Sequence, residues 1–174
     1  MKGNMNFILK KVVPTVLGAV LLSASCPAQS ASSDKTPAYV VVGGGVAGVV
    51  DHDKTGFGTI ELQPALRVGP FGTWVALQAG DRDCFLGTGL LFNWYVTDRL
   101  FITPSFGAGI YAEHNGTDLG YPLEFRSGLE CGYDFKEAGR ISIGFWHLSN
   151  AGLGDRNPGT ELVALRYALP IAWF

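Results

Sequence analysis

The segment PLEFRSGLECGYDF, residues 122–135, shows most clearly which fold the sequence encodes. Apolar side chains alternate along it with charged or small ones. The apolar positions are Leu123, Phe125, Leu129, Cys131 and Tyr133, and the positions between them include Glu124, Arg126, Gly128 and Glu130. Because successive side chains of a β-strand point to opposite faces of a sheet, this period of two predicts a strand with one apolar face.

Similar segments recur along the chain and predict eight strands. They cover Tyr39–Val50, Phe57–Val68, Thr73–Gly80, Cys84–Val96, Leu100–Ala112, Pro122–Phe135, Ile141–Asn150 and Thr160–Phe174. Clusters of Gly, Pro, Asp and Asn separate them, as turns require. The chain has 174 residues with 24 glycines and 12% aromatic residues, and it lacks helical periodicity. These features predict one all-β domain.

The N-terminal segment has the features of a secretory signal peptide. Lysines precede an apolar run at residues 12–22, and small residues follow it. We therefore expect residues 1–30 to be cleaved and residues 31–174 to form the barrel. Cys26 raises lipidation as an alternative, but Ser23 stands where a lipoprotein signal prefers Leu.

Periodicity alone does not distinguish a soluble β-barrel from a membrane one, because either places one set of side chains inside. Three features favour the membrane: the export signal, strands longer than is usual in globular proteins, and the aromatic end Trp173–Phe174. We therefore predict an eight-stranded antiparallel transmembrane β-barrel of the outer membrane. Its loops would alternate between extracellular loops and periplasmic turns.

In such a barrel the polar faces of the strands line a narrow lumen filled by side chains. Its predicted acidic residues are Glu61, Glu124 and Glu130, and its predicted basic residues are Arg67, Arg126 and Arg166. The signs balance, as buried charges require, so we expect Glu124, Arg126 and Arg166 to be enclosed and paired. The mature chain keeps Cys84 and Cys131, which fall on strands two apart, so we expect no disulfide. The net charge of −2, without a basic cluster beyond the signal peptide, gives no indication of nucleic-acid binding.

Two other motifs have simpler explanations. Gly43, Gly45 and Gly48 match G-x-G-x-x-G, but no helix of useful length can follow, and no βαβ rhythm continues. Small residues in a tightly packed strand account for them. The loops DHDKTG (51–56) and EHNGTD (113–118) carry metal-ligand residue types but are typical solvated loops, so we predict neither metal nor cofactor.

The segment GFWHLSNAGLGDRNPGTE, residues 144–161, carries the candidate chemistry. Strand parity places His147 and Ser149 on the apolar outer face of the seventh strand, and Glu161 on that of the eighth. With the hairpin centred near Gly154, His147 and Glu161 would lie opposite each other. A serine, a histidine and a glutamate on one patch supply a nucleophile, a general base and a group that orients the base. Polar residues that merely mark the end of a strand are the alternative.

This segment resembles the PagL family of outer-membrane lipid A 3-O-deacylases. The family pattern is His, then Ser two residues later, then Asn, with Glu fourteen residues after His. His147, Ser149, Asn150 and Glu161 meet it, and Asn157 and Gly159 fit its N-x-G element. The resemblance is specific over these residues and architectural elsewhere, apart from Phe125, which falls where the family has an outward Phe beside the site.

The resemblance implies hydrolysis of the ester that links a 3-hydroxyacyl chain to position 3 of lipid A. Ser149, His147 and Glu161 would be catalytic, and Asn150, Gly152 and Asn157 would supply oxyanion or positioning contacts. Phe125, Phe145 and Leu165 would seat the acyl chain. The partners would be lipopolysaccharide and outer-membrane lipids, with a homodimer as an open question. The alternatives are a non-enzymatic outer-membrane barrel, acting as an adhesin or apolar-solute binder, and a soluble lipocalin-like binder.

Overall fold

A computed structural model describes residues 37–50 and 54–171. The predicted signal peptide, Cys26, the first half of the DHDKTG loop and the aromatic end Trp173–Phe174 lie outside the described residues. Within these ranges no helix is long and apolar enough to cross a membrane.

Ten β-strands and one short 3-10 helix make up the described fold. The eight long strands are β1 (Ala38–Ala47), β2 (Thr55–Gln63), β4 (Phe71–Gly80), β5 (Asp83–Leu91), β7 (Leu100–Glu113), β8 (Leu123–Asp134), β9 (Arg140–Ser149) and β10 (Thr160–Ile171). The two short strands are β3 (Arg67–Val68) and β6 (Trp94–Tyr95), and the 3-10 helix is Lys136–Ala138.

The long strands form a closed antiparallel barrel. Each long strand pairs with its neighbours along the chain, β1 pairs with β10, and the β2–β4 pairing completes the circuit. Every strand edge in the circuit is therefore hydrogen-bonded, which removes the exposed edges of an open sheet. The prediction of an eight-stranded antiparallel barrel is confirmed.

Two predicted strands are interrupted at the end of the barrel opposite the candidate site. The segment Phe57–Val68 divides into β2 and β3, because Pro64 follows Gln63 and cannot donate to the ladder. The segment Cys84–Val96 divides into β5 and β6. The first predicted strand also ends early, at Ala47, because Gly48 takes a positive φ of 69°.

Along β8, side chains alternate between the barrel interior and the exterior as the sequence predicts. The apolar set of β8 is half-buried or exposed, and its charged set is buried. The barrel interior holds Trp74, Phe85, Leu148 and Leu162, while large apolar side chains such as Ile60, Phe106 and Leu165 are on the outside. A barrel with charges inside and an apolar exterior matches a membrane barrel and does not match a lipocalin-like binder.

A compact ion-pair network crosses the lumen. Both oxygens of Glu61 are engaged, with Arg126 at 3.0 Å and with Arg166 at 2.8 Å. Arg166 also bonds Glu130 at 2.7 Å. The guanidinium of Arg126 stacks 3.6 Å from the ring centre of Trp74. These charges are buried but mutually compensated, as their removal from water requires.

Two members of the predicted lumen set behave differently. Arg67 is exposed on β3 and donates to the backbone oxygen of Pro70 at 2.5 Å, because the break after β2 turns it out of the lumen row; its placement in the lumen is wrong. Glu124 is enclosed, but within the described residues neither of its carboxyl oxygens has a hydrogen-bond partner. Its predicted pairing is therefore wrong. The guanidinium groups of Arg126 and Arg166 bond Glu61 and Glu130 instead.

The two cysteines within the described residues, Cys84 and Cys131, are free. Cys84 lies on β5 and Cys131 on β8, and β7 runs between these strands. Cys84 pairs with Ala112 at one end of β7, and Cys131 pairs with Ile102 towards the other. The intervening strand and this offset along the barrel keep the two sulfurs from bridging.

Candidate active site

The β9–β10 hairpin brings the histidine and the glutamate together. His147 and Glu161 are direct register partners, with Nδ1 of the imidazole 3.2 Å from Oε1 of the carboxylate. The His147 side chain is 41% exposed and that of Glu161 21%. The contact is therefore open on the outer surface of the barrel, and it leaves Nε2 of the imidazole available to a third group.

Ser149 is the last residue of β9 and lies on the same outer face as His147. Residues i and i+2 of a strand are about 6.6 Å apart, and within the described chain no hydrogen bond joins the two side chains. Strand geometry continues through Ser149, and the positive φ values come later, at Ala151 and Gly152. The backbone therefore does not bend at Ser149 towards His147, and a hydrogen bond between the two side chains would need side-chain rotation.

Asn150 fixes the loop that follows the serine. Its side chain is fully buried and donates from Nδ2 to the backbone oxygens of Leu119 and Arg156, each at 2.7 Å. Its Oδ1 accepts the N–H of Gly152 at 2.9 Å, and its own N–H donates to Oδ1 of Asn157 at 3.0 Å. The backbone N–H groups of Asn150 and Gly152 are thus already engaged, and these contacts fit a positioning role.

A second loop packs against the hairpin loop, and the sequence does not reveal this contact. Leu119 is 1% exposed although it lies in a polar loop. Gly120 lies so close to the chain at Arg156 that an added Cβ would be 2.4 Å from that residue's backbone oxygen. The exposed side chains of Asp118 and Arg156 form an ion pair across the two loops. The sequence feature that could have indicated this contact is Leu119 itself, an apolar residue within the polar segment EHNGTDLGY (residues 113–121).

The backbone at Gly159 lies against the imidazole ring of His147. Gly159 is buried, has a φ of +69°, and an added Cβ would lie 2.7 Å from Cε1 of His147 and 3.2 Å from Nε2. Only a residue without a side chain allows the backbone this close to the imidazole. The N-x-G element includes this glycine, but its contact with His147 becomes visible only in three dimensions.

The three predicted acyl-chain residues all lie on the outer face, and two of them adjoin the site. Phe125 pairs directly with Ser149 across β8 and β9, and its ring stacks on Phe106 with centroids 6.1 Å apart. Phe145 is 46% exposed and Leu165 60% exposed. Phe125 and Phe145 present an apolar surface next to the serine and the histidine, whereas Leu165 lies four residues from Glu161 along β10, about 13 Å further along the barrel wall.

This arrangement contains the residue types that acyl transfer uses. Within the described residues no group of three or more His, Cys, Asp and Glu side chains could hold a metal ion. The exposed pair of His147 and Glu161 has the geometry of an oriented general base, and Ser149 lies one step further along the same strand face.

The barrel is similar to two solved outer-surface barrels. The crystal structure of the outer membrane enzyme PagL covers 76% of this chain and 99% of its own, at a TM-score of 0.59 and 20% identity. The crystal structure of Neisserial surface protein A covers 78% of this chain and 98% of its own, at the same TM-score and 10% identity. Because the two likenesses are equal in TM-score, the barrel alone does not choose between them.

The sequence comparisons are more specific. A Bordetella bronchiseptica protein (strain RB50) named lipid A deacylase PagL is 29% identical over 79 residues. That alignment spans 44% of this chain and 44% of the relative, so the chain matches less than half of the relative's length. The family model described as lipid A 3-O-deacylase (PagL) matches residues 71–170. This range covers more than half of the chain and both strands of the site hairpin, and the chain therefore belongs to the PagL family.

Proposed function

We propose that this protein is an outer-membrane esterase that removes the ester-linked 3-hydroxyacyl chain from position 3 of lipid A. The observation that carries the proposal is the His147–Glu161 contact on the lipid-facing side of the barrel, with Ser149 on the same face. Ionisable groups facing a membrane are costly, and they are retained mainly where they have a function. Family membership supports the same substrate.

In the proposed reaction, Ser149 is the nucleophile. His147 takes the hydroxyl proton on Nε2, while the carboxylate of Glu161 accepts the Nδ1–H and stabilises the imidazolium that forms. Ser149 Oγ bonds to the ester carbonyl carbon, and the sugar oxygen leaves with the proton returned by His147. A water molecule then attacks the acyl-serine with His147 again acting as base, and the free 3-hydroxy fatty acid is released.

The oxyanion of the tetrahedral intermediate needs hydrogen-bond donors. The N–H of Asn150 donates to the side chain of Asn157, and the N–H of Gly152 donates to the side chain of Asn150. Asn150 and Gly152 therefore stabilise the shape of the loop. Asn157 accepts that bond on Oδ1, and its amide NH₂ group makes no hydrogen bond within the described residues. We assign the Asn157 amide as the side-chain donor to the oxyanion.

The position of the site explains how such a substrate reaches it. Lipid A lies in the outer leaflet with its acyl chains parallel to the barrel wall. An ester at the headgroup level would stand beside Ser149, and the acyl chain would lie on Phe125, Phe145 and Leu165. The polar loops would face the cell exterior, which places the active site at the outer leaflet.

A non-enzymatic surface barrel is the second candidate, because the fold is equally close to Neisserial surface protein A. Mass spectrometry of lipid A incubated with the purified protein in detergent separates the two. The esterase removes one ester-linked 3-hydroxyacyl group and leaves the amide-linked chains in place. An unchanged lipid A mass after incubation with protein that shows heat-modifiable migration would favour the surface barrel.

A further inference from the structure

Ser127 is a polar residue on the apolar outer face of β8. It lies between Phe125 and Leu129 in the outward row and is exposed. Within the described residues its hydroxyl makes no hydrogen bond. The strand places it one step further from the loops than Phe125, or about 6.6 Å along the barrel wall.

The register of the sheet puts this hydroxyl beside the catalytic base. Ser127 pairs directly with His147, and Phe125 pairs directly with Ser149. Directly opposite residues on neighbouring strands have Cβ atoms about 5 Å apart, and diagonal ones about 7–8 Å apart. Ser127 therefore lies next to His147 and diagonally from Ser149, on the membrane side of the nucleophile.

The neighbours of the Ser127 hydroxyl on the outer face are largely apolar. On its other side Ser127 pairs with Phe106, which is 58% exposed, and the next outward residue of β8, Leu129, is 50% exposed. A polar group in apolar surroundings costs free energy unless it is hydrogen-bonded. Nothing in the described structure bonds this one, although it adjoins the two residues that would meet the substrate ester.

We propose that Ser127 recognises the 3-hydroxyl group of the acyl chain that is cleaved; the inference rests on the proposed function. With the ester carbonyl at Ser149, the hydroxyl-bearing carbon is two bonds further along the chain. A chain that runs from Ser149 between β8 and β9 towards the membrane interior passes between Ser127 and His147. The Ser127 hydroxyl then exchanges a hydrogen bond with the substrate hydroxyl, and Leu129 contacts the methylenes beyond it.

Two matched substrates test this recognition. Each is a synthetic glucosamine phosphate, acylated on its 3-oxygen with either 3-hydroxytetradecanoate or plain tetradecanoate. Product is measured by mass spectrometry with the purified full chain in detergent, and kcat/KM is obtained for each ester. A single neutral hydrogen bond predicts that the parent favours the hydroxyester by roughly 3- to 10-fold.

Ser127→Ala should bring the ratio of the two kcat/KM values close to one, and Ser127→Thr should restore the preference. Leu129→Ala is the matched control, because it should lower both values and keep their ratio. Heat-modifiable migration of each variant verifies folding.

Other results would overturn the inference. If the parent cleaves both esters at equal efficiency, or if Ser127→Ala keeps the parent's ratio, Ser127 does not recognise the hydroxyl and the inference fails alone. If the parent cleaves neither these esters nor lipid A, the proposed function fails and the inference fails with it.

Discussion

Replacing Gly159 by alanine should separate the support of the histidine from the stability of the barrel. The φ of +69° would cost an alanine about 1–2 kcal/mol of folding free energy. The new Cβ would also lie 2.7 Å from Cε1 of His147, whereas ordinary contacts begin at 3.4 Å. The imidazole would therefore have to move by roughly 0.7 Å, and a misplacement of about 1 Å at a reacting group can cost 10²-fold in rate.

Gly69→Ala is the matched control for this experiment. Gly69 has a φ of +60°, and an added Cβ there would meet nothing within 4 Å. Both variants should lose similar stability in denaturant unfolding. Only Gly159→Ala should lose kcat/KM for lipid A, by about 10²-fold. Equal activity of the two variants would refute the conclusion that Gly159 positions the imidazole.

The remaining predictions concern the loop, the third triad member and the lumen. Asn150→Ala should lower activity and raise the protease sensitivity of the 150–159 loop, because three hydrogen bonds of its side chain disappear; a loop that stays resistant would exclude this role. Glu161→Ala should lower turnover less than His147→Ala does, since loss of the orienting member often leaves measurable rate; parent activity would remove Glu161 from the site. In the lumen, Glu61→Gln should destabilise the barrel by about 3–5 kcal/mol, because Arg126 loses its carboxylate partner and Arg166 loses one of its two. Glu124→Gln should cost much less, since its carboxyl has no partner to lose; equal unfolding midpoints for these two lumen variants would contradict the ion-pair assignment.

The barrel was predictable because its determinant is local. A period of two in side-chain polarity is visible in strands such as β2 and β8, and parity then assigns their residues to the lumen or the exterior. The facing of His147 and Glu161 was predictable for the same reason, since a hairpin centred near Gly154 makes them register partners. The family motif adds Ser149 to this pair.

The errors arise where the outcome depends on distant parts of the chain. Charge balance predicted a partner for Glu124, but which arginine reaches which carboxylate depends on positions around the whole barrel. Arg67 shares the parity of Glu61, yet the chain breaks at Pro64 and turns it outward. The contact of Asn150 with Leu119 joins two loops that are separated by a complete hairpin, and no local pattern encodes it.

The most direct test of the proposed reaction is the mass of lipid A after incubation with the parent protein and with Ser149→Ala, both purified in detergent. The parent should release one ester-linked 3-hydroxy fatty acid per lipid A, and Ser149→Ala should release none while it keeps heat-modifiable migration. Deacylation by Ser149→Ala at the parent's rate would show that Ser149 is not the nucleophile.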